Sequence, residues 1–238
     1  EEKKALKKKM DIFIKYDLVS KGLKATKHLE KSIQELKKSK LKISNDILAH
    51  RKKIEALNIE TDRSFISVNG YMQTVVNNIY AIGDVSGPPL LAHVASEEGI
   101  IAVEHICNLN PQKMEYDNIP GCTYCEPEIA SVGLTEKQAL EQGYKVKIGK
   151  FPFRALGKSL ADGNHDGFVK IIYDKKYGEL LGCHIIGHEA SNLISEVGLA
   201  RTLETTYNEV LKTVHPHPTL SEAINEATAD ALNEAIHI

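Results

Sequence analysis

The sequence predicts an α+β domain with an antiparallel sheet flanked by helices, preceded by the C-terminal part of an α/β domain. Three observations predict this arrangement. After Pro120, five strand-like segments alternate with turns and helices. Before it, residues 79–82 form a continuous apolar run that ends at Gly83-Asp84. Such a run is typical of a strand that is buried on both faces in a parallel sheet. Between these regions, residues 91–107 carry small and apolar side chains at helical spacing.

The α+β part is predicted element by element from apolar alternation, helical periodicity and turn residues. Its strands are expected at residues 121–126, 129–134, 146–153, 167–173 and 180–186. Its helices are expected at 135–142, 189–203 and 219–235. Residues 1–50 are expected to be helical on both sides of a short apolar run at 11–20.

Gly83 and Asp84 are candidate ligand residues, because open α/β sheets bind ligands beyond the carboxyl ends of their strands. Glycine permits close backbone approach, and the carboxylate can accept hydrogen bonds from sugar or polyol hydroxyls. The N-terminus of the following helix would suit a phosphate or pyrophosphate. A small stripe on that helix predicts close packing, and comprises Ala92, Ala95, Gly99, Ala102 and Ile106. Taken alone, Asp84 would be better interpreted as a turn aspartate after a strand, but its combination with Gly83, the Gly87-Pro88-Pro89 turn and the small-faced helix favours a ligand site.

Charge is distributed unevenly along the 238 residues, although the net charge is only -2. Residues 1–53 hold 17 Lys and Arg against 7 Asp and Glu, so the remaining residues are net acidic. The lysine clusters lack interleaved aromatic residues and any nucleic-acid-binding motif, which favours a solvated helical face and no nucleic-acid partner. No apolar segment is long enough to predict a membrane span. We expect a lysine-rich divergent segment at 1–56, with domains at 57–117 and 118–238.

Four cysteines are too few to predict a disulfide framework, so a reducing compartment such as the cytoplasm or an organelle matrix is expected. Cys122 and Cys125 form a C-x-x-C pair. No second Cys or His pair stands at zinc-ribbon spacing, so we predict no metal site.

The segment from Val214 to Glu222 presents His215 and His217 in a loop stiffened by two prolines. Glu222 follows His217 by five residues and could orient its ring, which is how a chain would hold a general base. The same residues also match a capping box, in which Glu222 merely caps the helix that starts at Thr219. His215 is expected to be structural or exposed, because nothing near it in sequence orients it.

Four segments resemble the flavoprotein disulfide oxidoreductases, in the order and spacing of that family. Residues 80–85 resemble its second FAD motif, and residues 90–93 resemble the segment that follows along the flavin. Residues 128–135 resemble the start of its interface domain, and residues 215–222 resemble its catalytic histidine loop.

The resemblance implies that His217 is the catalytic base and Glu222 its orienting carboxylate, within a loop whose His217-Pro218 bond is cis. It implies that Asp84 binds the ribityl chain of FAD. The cofactor-binding residues that it implies are Gly83, Asp84, Leu91, Ala92, His93 and Pro218.

The activity implied is oxidation of a dihydrolipoyl thiol pair through a redox disulfide and FAD, with reduction of NAD⁺. The implied partners are a second copy of the chain, joined through residues 118–238, and a 2-oxo acid dehydrogenase or glycine cleavage complex. Glutathione-reductase-like or mercuric-reductase-like activity, and a non-catalytic dimerisation module, are alternatives.

The sequence departs from the family at its start. It contains no G-x-G-x-x-G loop and no cysteine pair four residues apart. We therefore expect a C-terminal portion that is inactive alone, with residues 1–56 a possible remnant of an NAD-binding domain. NAD would then bind mainly to regions outside this chain.

Overall fold

The computed structural model describes the backbone of residues 2–237 and the side chains of residues 28–237. It divides the chain into two compact units, Glu1–Pro111 and Gln112–Ile238. The first unit opens with one helix, α1 (Glu2–Ala56), which continues through residues 11–20 without the predicted interruption. Lys37 and Lys38 are exposed on α1, whereas the lysines before residue 28 lie outside the described side chains.

The rest of the first unit contains little regular structure. Strands β1 (Thr61–Asp62) and β2 (Phe65–Ile66) form a two-stranded antiparallel sheet. The prediction of a buried parallel strand at residues 79–82 was wrong, because this run forms only an antiparallel bridge between Tyr80 and Gln73. Ile82 is 41% exposed, so apolar composition here does not reflect burial on both faces.

Helix α2 (Ala92–Ile106) packs closely against the short 3₁₀ turn Gly83–Val85 through part of its small stripe. A Cβ atom added at Gly83 would lie 3.1 Å from Cβ of Ala95, and one added at Gly99 would lie 3.4 Å from Cδ1 of Ile82. The ends of the predicted stripe are exposed instead. The side chains that α2 buries are Val94, Glu98, Ile101 and Ala102.

The second unit is built on a five-stranded antiparallel sheet, which confirms the predicted fold class. In chain order its strands are β3 (Gly121–Thr123), β4 (Glu128–Gly133), β5 (Val146–Pro152), β6 (Phe168–Asp174) and β7 (Leu180–Gly187). Their order across the sheet is β3-β4-β7-β6-β5. The helices are α3 (Glu136–Glu141), α4 (Gly157–Asp162), α5 (Ala190–Thr202), α6 (Tyr207–Lys212) and α7 (Glu222–Asp230). The sequence did not predict α4 and α6.

Most of the core of the second unit lies between the sheet and helices α5 and α7. Its largest fully buried side chains are Phe151, Phe153, Val169, Ile171, Tyr173, Ile185, Ile194 and Ile224. On the opposite face of the sheet, Ala139 of α3 packs against Ile172 of β6 and Leu181 of β7. The buried hydroxyl of Tyr173 lies 2.9 Å from Oγ1 of Thr228, which satisfies its hydrogen bonding.

Helix α7 is held tightly against the edge strand β5. A Cβ atom at Gly149 would overlap the carbonyl oxygen of Ala227, so only glycine permits this approach. The backbone N–H of Lys150 donates to Oδ2 of Asp230 at 2.8 Å. These contacts hold the C-terminal half of α7 against the sheet, and Glu222 is the first residue of the same helix.

Candidate active site

His217 and Glu222 are brought together at the start of α7. Nδ1 of His217 lies 2.9 Å from Oε1 of Glu222. The imidazole is 76% exposed, whereas the glutamate side chain is 22% exposed. The ring is thus held on one nitrogen by a mostly covered carboxylate and is open to solvent on its other side.

Both oxygens of Glu222 are engaged. The second oxygen, Oε2, accepts a hydrogen bond from the backbone N–H of Thr219 at 2.8 Å. Burial raises the pKa of Glu222, but the hydrogen bonds from Thr219 and His217 outweigh it, so the pKa lies below its ordinary value. The carboxylate is therefore ionised and fixed in direction at neutral pH.

The predicted capping box at Thr219 forms only in part. Glu222 does accept from the Thr219 backbone N–H, as predicted. The hydroxyl of Thr219 instead donates to the carbonyl oxygen of Pro216 at 2.7 Å. Helix α7 consequently begins at Glu222, three residues later than predicted, and Ser221 at its N-cap makes no side-chain capping bond. The orienting and capping interpretations of Glu222 are compatible in this geometry.

Pro218 lies in the same loop and is exposed. The His217-Pro218 peptide bond is cis, as the family resemblance implied.

The other histidine of the loop, His215, is structural, which is one of the two expected outcomes, and the residue that orients it is remote in sequence. Its Nε2 lies 2.7 Å from Oε1 of Glu196 on α5, and its Nδ1 lies 3.1 Å from the carbonyl oxygen of Thr213. Its side chain is only 6% exposed. The hydrogen bond to Glu196 raises the pKa of His215 above its ordinary value, against the opposing effect of burial. His215 therefore anchors the loop to α5.

The remaining predicted residues lie together in the first unit, around the turn Gly83–Val85 and the start of α2. Asp84 occupies the middle of the turn with its carboxylate exposed. Leu91 is the N-cap residue of α2 and makes no side-chain capping bond. Its backbone N–H donates to the carbonyl oxygen of Pro89 at 3.0 Å. Ala92 and His93 form the exposed first turn of α2. The turn and the first turn of α2 thus form an accessible surface that includes the exposed Asp84 carboxylate and the N-terminus of a helix.

Sequence reasoning missed two buried or bridging carboxylates, Glu98 and Glu196. Glu98 interrupts the buried face of α2 between Val94 and Ile101, and Glu196 lies beside Val197 on α5. A charged residue at a core-facing helical position is the signal that could have revealed Glu98, since such residues are rarely buried without a partner. Nothing in the sequence indicates which group each carboxylate meets.

A third histidine–glutamate pair joins the end of the chain to α7. Nδ1 of His237 lies 2.7 Å from Oε1 of Glu226, whose Oε2 accepts from the backbone N–H groups of Ile236 and His237. Glu226 is buried and is four residues from Glu222. This pair fixes the last described residues beside the helix that carries Glu222.

The two cysteines of the C-x-x-C pair are not joined by a disulfide bond. Cys122 and Cys125 are both free thiols, and burial followed by the charge of Glu128 raises the pKa of Cys122. Across the described part of the chain, no cluster of three or more His, Cys, Asp or Glu side chains could hold a metal ion. No helix within the described residues is long and apolar enough to cross a membrane.

Two models of one protein family match most of the chain. The dimerisation domain of the pyridine nucleotide-disulphide oxidoreductases matches residues 119–228. A second model, described as pyridine nucleotide-disulphide oxidoreductase, matches residues 26–99. The first match contains β3 to β7 and the complete histidine loop, and the second contains Gly83 and Asp84.

Two curated relatives that are half or more identical to this chain are both named dihydrolipoyl dehydrogenase. Dihydrolipoyl dehydrogenase from Bacillus subtilis is 54% identical over 184 residues, which are 77% of this chain and 39% of the relative. Dihydrolipoyl dehydrogenase from Zymomonas mobilis is 50% identical over 190 residues, which are 77% of this chain and 40% of the relative. The chain thus spans about two-fifths of the length of these relatives.

Solved structures agree in fold. LpdA from Mycobacterium tuberculosis matches with a TM-score of 0.68 at 28% identity, over 71% of this chain and 37% of that one. The HOCl-induced flavoprotein disulfide reductase RclA from Escherichia coli matches with a TM-score of 0.66 at 24% identity, over 72% and 40% of the two chains, and supports the fold alone. With both family models and these relatives in agreement, the chain belongs to the pyridine nucleotide-disulphide oxidoreductase family.

Proposed function

We propose that this chain supplies the catalytic base, part of the FAD site and the dimer-forming domain of a dihydrolipoyl dehydrogenase. The observation that carries the proposal is the 2.9 Å contact between Nδ1 of His217 and Oε1 of Glu222, on a ring whose other side is exposed. The names of the relatives, and identities of about half over most of the chain, support the choice of enzyme.

The Glu222 carboxylate selects the useful tautomer of His217. An ionised carboxylate can only accept, so the proton of the neutral imidazole resides on Nδ1 and the lone pair on Nε2. Nε2 then removes a proton from the dihydrolipoyl thiol, and the thiolate formed is the species that attacks a disulfide. The positive charge that develops on the ring is stabilised by Glu222.

The first unit fits the FAD that the family implies. Gly83 adopts a left-handed conformation with φ +72 and has α2 close behind it, while the next residue, Asp84, is exposed. The exposed Asp84 carboxylate can accept from ribityl hydroxyls. The N-terminus of α2, where Leu91 is the N-cap and Ala92 and His93 form an exposed first turn, suits a pyrophosphate. Bound FAD and NAD⁺ supply the redox chemistry that carries electrons away from the dithiol.

The proposal includes a homodimer and a larger enzyme complex. Residues 57–117 act as part of the FAD-binding domain, and residues 118–238 pair with a second copy so that His217 serves the partner's flavin, with Pro218 beside that cofactor. The wider partner is a 2-oxo acid dehydrogenase or glycine cleavage complex.

A chimera tests the activity. Residues 57–238 would replace the matching portion of the Bacillus subtilis enzyme, and NADH formation from dihydrolipoamide would be measured beside reduction of glutathione disulfide. We expect dihydrolipoamide to be strongly preferred. His217→Gln is expected to lower kcat by roughly 10²- to 10⁴-fold, the usual contribution of a general base.

The matched control is His165→Gln, which removes an exposed histidine from the loop between α4 and β6 and should leave kcat unchanged. A chimera that dimerises but binds no FAD would instead support a non-catalytic dimerisation module. A fast His217→Gln chimera would show that another group is the base.

A further inference from the structure

We propose that Glu98 is a positioning residue for FAD, which holds the backbone of Gly83 from inside α2 and thereby sets the direction of Asp84. The inference rests on the proposed function, because it concerns the same cofactor site. It adds to that site a buried carboxylate 15 residues away from Gly83 in sequence, whose effect can be measured as a change in the FAD dissociation constant.

The contact between Glu98 and Gly83 is short and shielded from water. The backbone N–H of Gly83 donates to Oε2 of Glu98 at 2.6 Å. Glu98 is 3% exposed. A hydrogen bond between an amide and a carboxylate oxygen is among the stronger kinds in proteins, and exclusion of water strengthens it further.

The other polar group of Gly83 is fixed as well. Its carbonyl oxygen accepts from the backbone N–H of Ser86 at 2.9 Å and from the Ser86 hydroxyl at 2.8 Å. Ala95 on α2 fills the space beside the Cα atom of Gly83, because a Cβ atom added at Gly83 would lie 3.1 Å from Cβ of Ala95. Gly83 is therefore held from three directions in its left-handed conformation.

Asp84 is the next residue, so its direction depends on the torsion angles of Gly83. Nothing in the turn buries Asp84 itself, which is exposed. Without the carboxylate of Glu98, the turn can sample other conformations, and ordering it on FAD binding costs conformational entropy. Glu98 acts on FAD through this turn, which is what distinguishes it from a direct ligand.

The test uses the chimera described above and measures the FAD dissociation constant of its apoprotein by flavin fluorescence. Glu98→Ala removes the acceptor and is expected to weaken FAD binding by roughly ten- to a hundredfold, from the usual strength of hydrogen bonds to charged groups. Glu98→Gln keeps an acceptor oxygen at the same reach and should recover most of the affinity. The control is Glu97→Ala, an exposed neighbour on α2, with unchanged affinity expected.

A double-mutant cycle with Asp84→Asn separates positioning from general destabilisation. If Glu98 acts through Asp84, the double variant binds FAD about as weakly as the worse single variant. Additive losses would overturn the inference, as would a Glu98→Ala variant that binds like the unmodified chimera.

Should Glu98→Ala fail to fold, Ser86→Ala tests the same turn from its half-exposed side. It is expected to weaken binding several-fold, whereas the control Ser96→Ala, which loses only a bond within α2, should not. Equal affinity in these two serine variants would also overturn the inference. An unmodified chimera that binds no FAD would refute the proposed function and, with it, this inference.

Discussion

The two units of the chain bury apolar surface very differently. In the second unit, side chains from the sheet and from α5 and α7 form one continuous core. In the first unit, α2 leaves Ile100, Val103 and Ile106 more than half exposed. The placement of His217 therefore depends on a core that the second unit makes for itself, while the turn at Asp84 depends on a few local contacts. The second unit is expected to be the more stable, and substitutions should distinguish the two.

The largest effect is expected from Gly149→Ala in β5. The added methyl group would overlap the backbone of Ala227, which cannot move without displacing α7. We expect a loss of more than about 4 kcal/mol in the free energy of unfolding, measured by urea denaturation of the chain. Gly157→Ala, whose Cβ would meet nothing within 4 Å, should change it by less than about 0.5 kcal/mol. Equal stability of these two variants would contradict the tight packing of α7.

The next effect comes from matched truncations in the two cores. Ile171→Ala in β6 removes a fully buried side chain and should cost about 2 to 5 kcal/mol. Ile101→Ala in α2 removes one that is 5% exposed, beside exposed neighbours that can relax into the gap, and should cost less. Hydrogen exchange read separately for each unit would measure both. A larger loss at Ile101 would reverse the comparison.

A smaller, pH-dependent effect is expected at the His215–Glu196 pair. The pKa of His215 is raised in the folded chain. Protonated His215 therefore contributes its full stabilisation at a pH below the pKa of the unfolded state, and this stabilisation is lost as pH rises through the pKa of the folded state. Stability should thus fall by at most about 1 kcal/mol between about pH 6 and 8, since Glu196 is 38% exposed.

Glu196→Gln is the partner variant for this measurement. Urea titrations should show a flatter profile for it over the same range. His184, whose pKa is lowered by burial, titrates with the opposite sign in both proteins and cancels in the difference. A wild-type profile as flat as that of the variant would contradict the role of the pair.

The smallest effect is expected at Gly99→Ala in α2. Its Cβ would lie 3.4 Å from the flexible end of Ile82, and alanine favours the helix by about 1 kcal/mol over glycine. The free energy of unfolding of the first unit should therefore rise by up to about 1 kcal/mol. Destabilisation here comparable to that of Gly149→Ala would mean that the two units are packed alike.

The sequence predicted the second unit well because its signals are local. Alternation along β6 and β7, and the helical pattern predicted at 135–142, belong to neighbouring residues and reproduce the observed elements to within a few positions. The run 79–82 failed because apolar composition does not identify a pairing partner. The contact of His217 with Glu222 spans five residues and was predictable, whereas His215–Glu196 and Glu98–Gly83 span 19 and 15 residues and require the tertiary structure.

The bond between Asp230 and Lys150 also affects how the sheet meets other chains. Strand β5 forms one edge of the sheet, and such an edge can recruit strands from neighbouring molecules. The outward N–H of Lys150 is already occupied by Asp230, and Pro152, two residues on, has no N–H to offer. Lys150 and Pro152 therefore offer no free N–H to an added strand, so the residues that hold α7 in place also disfavour strand addition at this part of the edge.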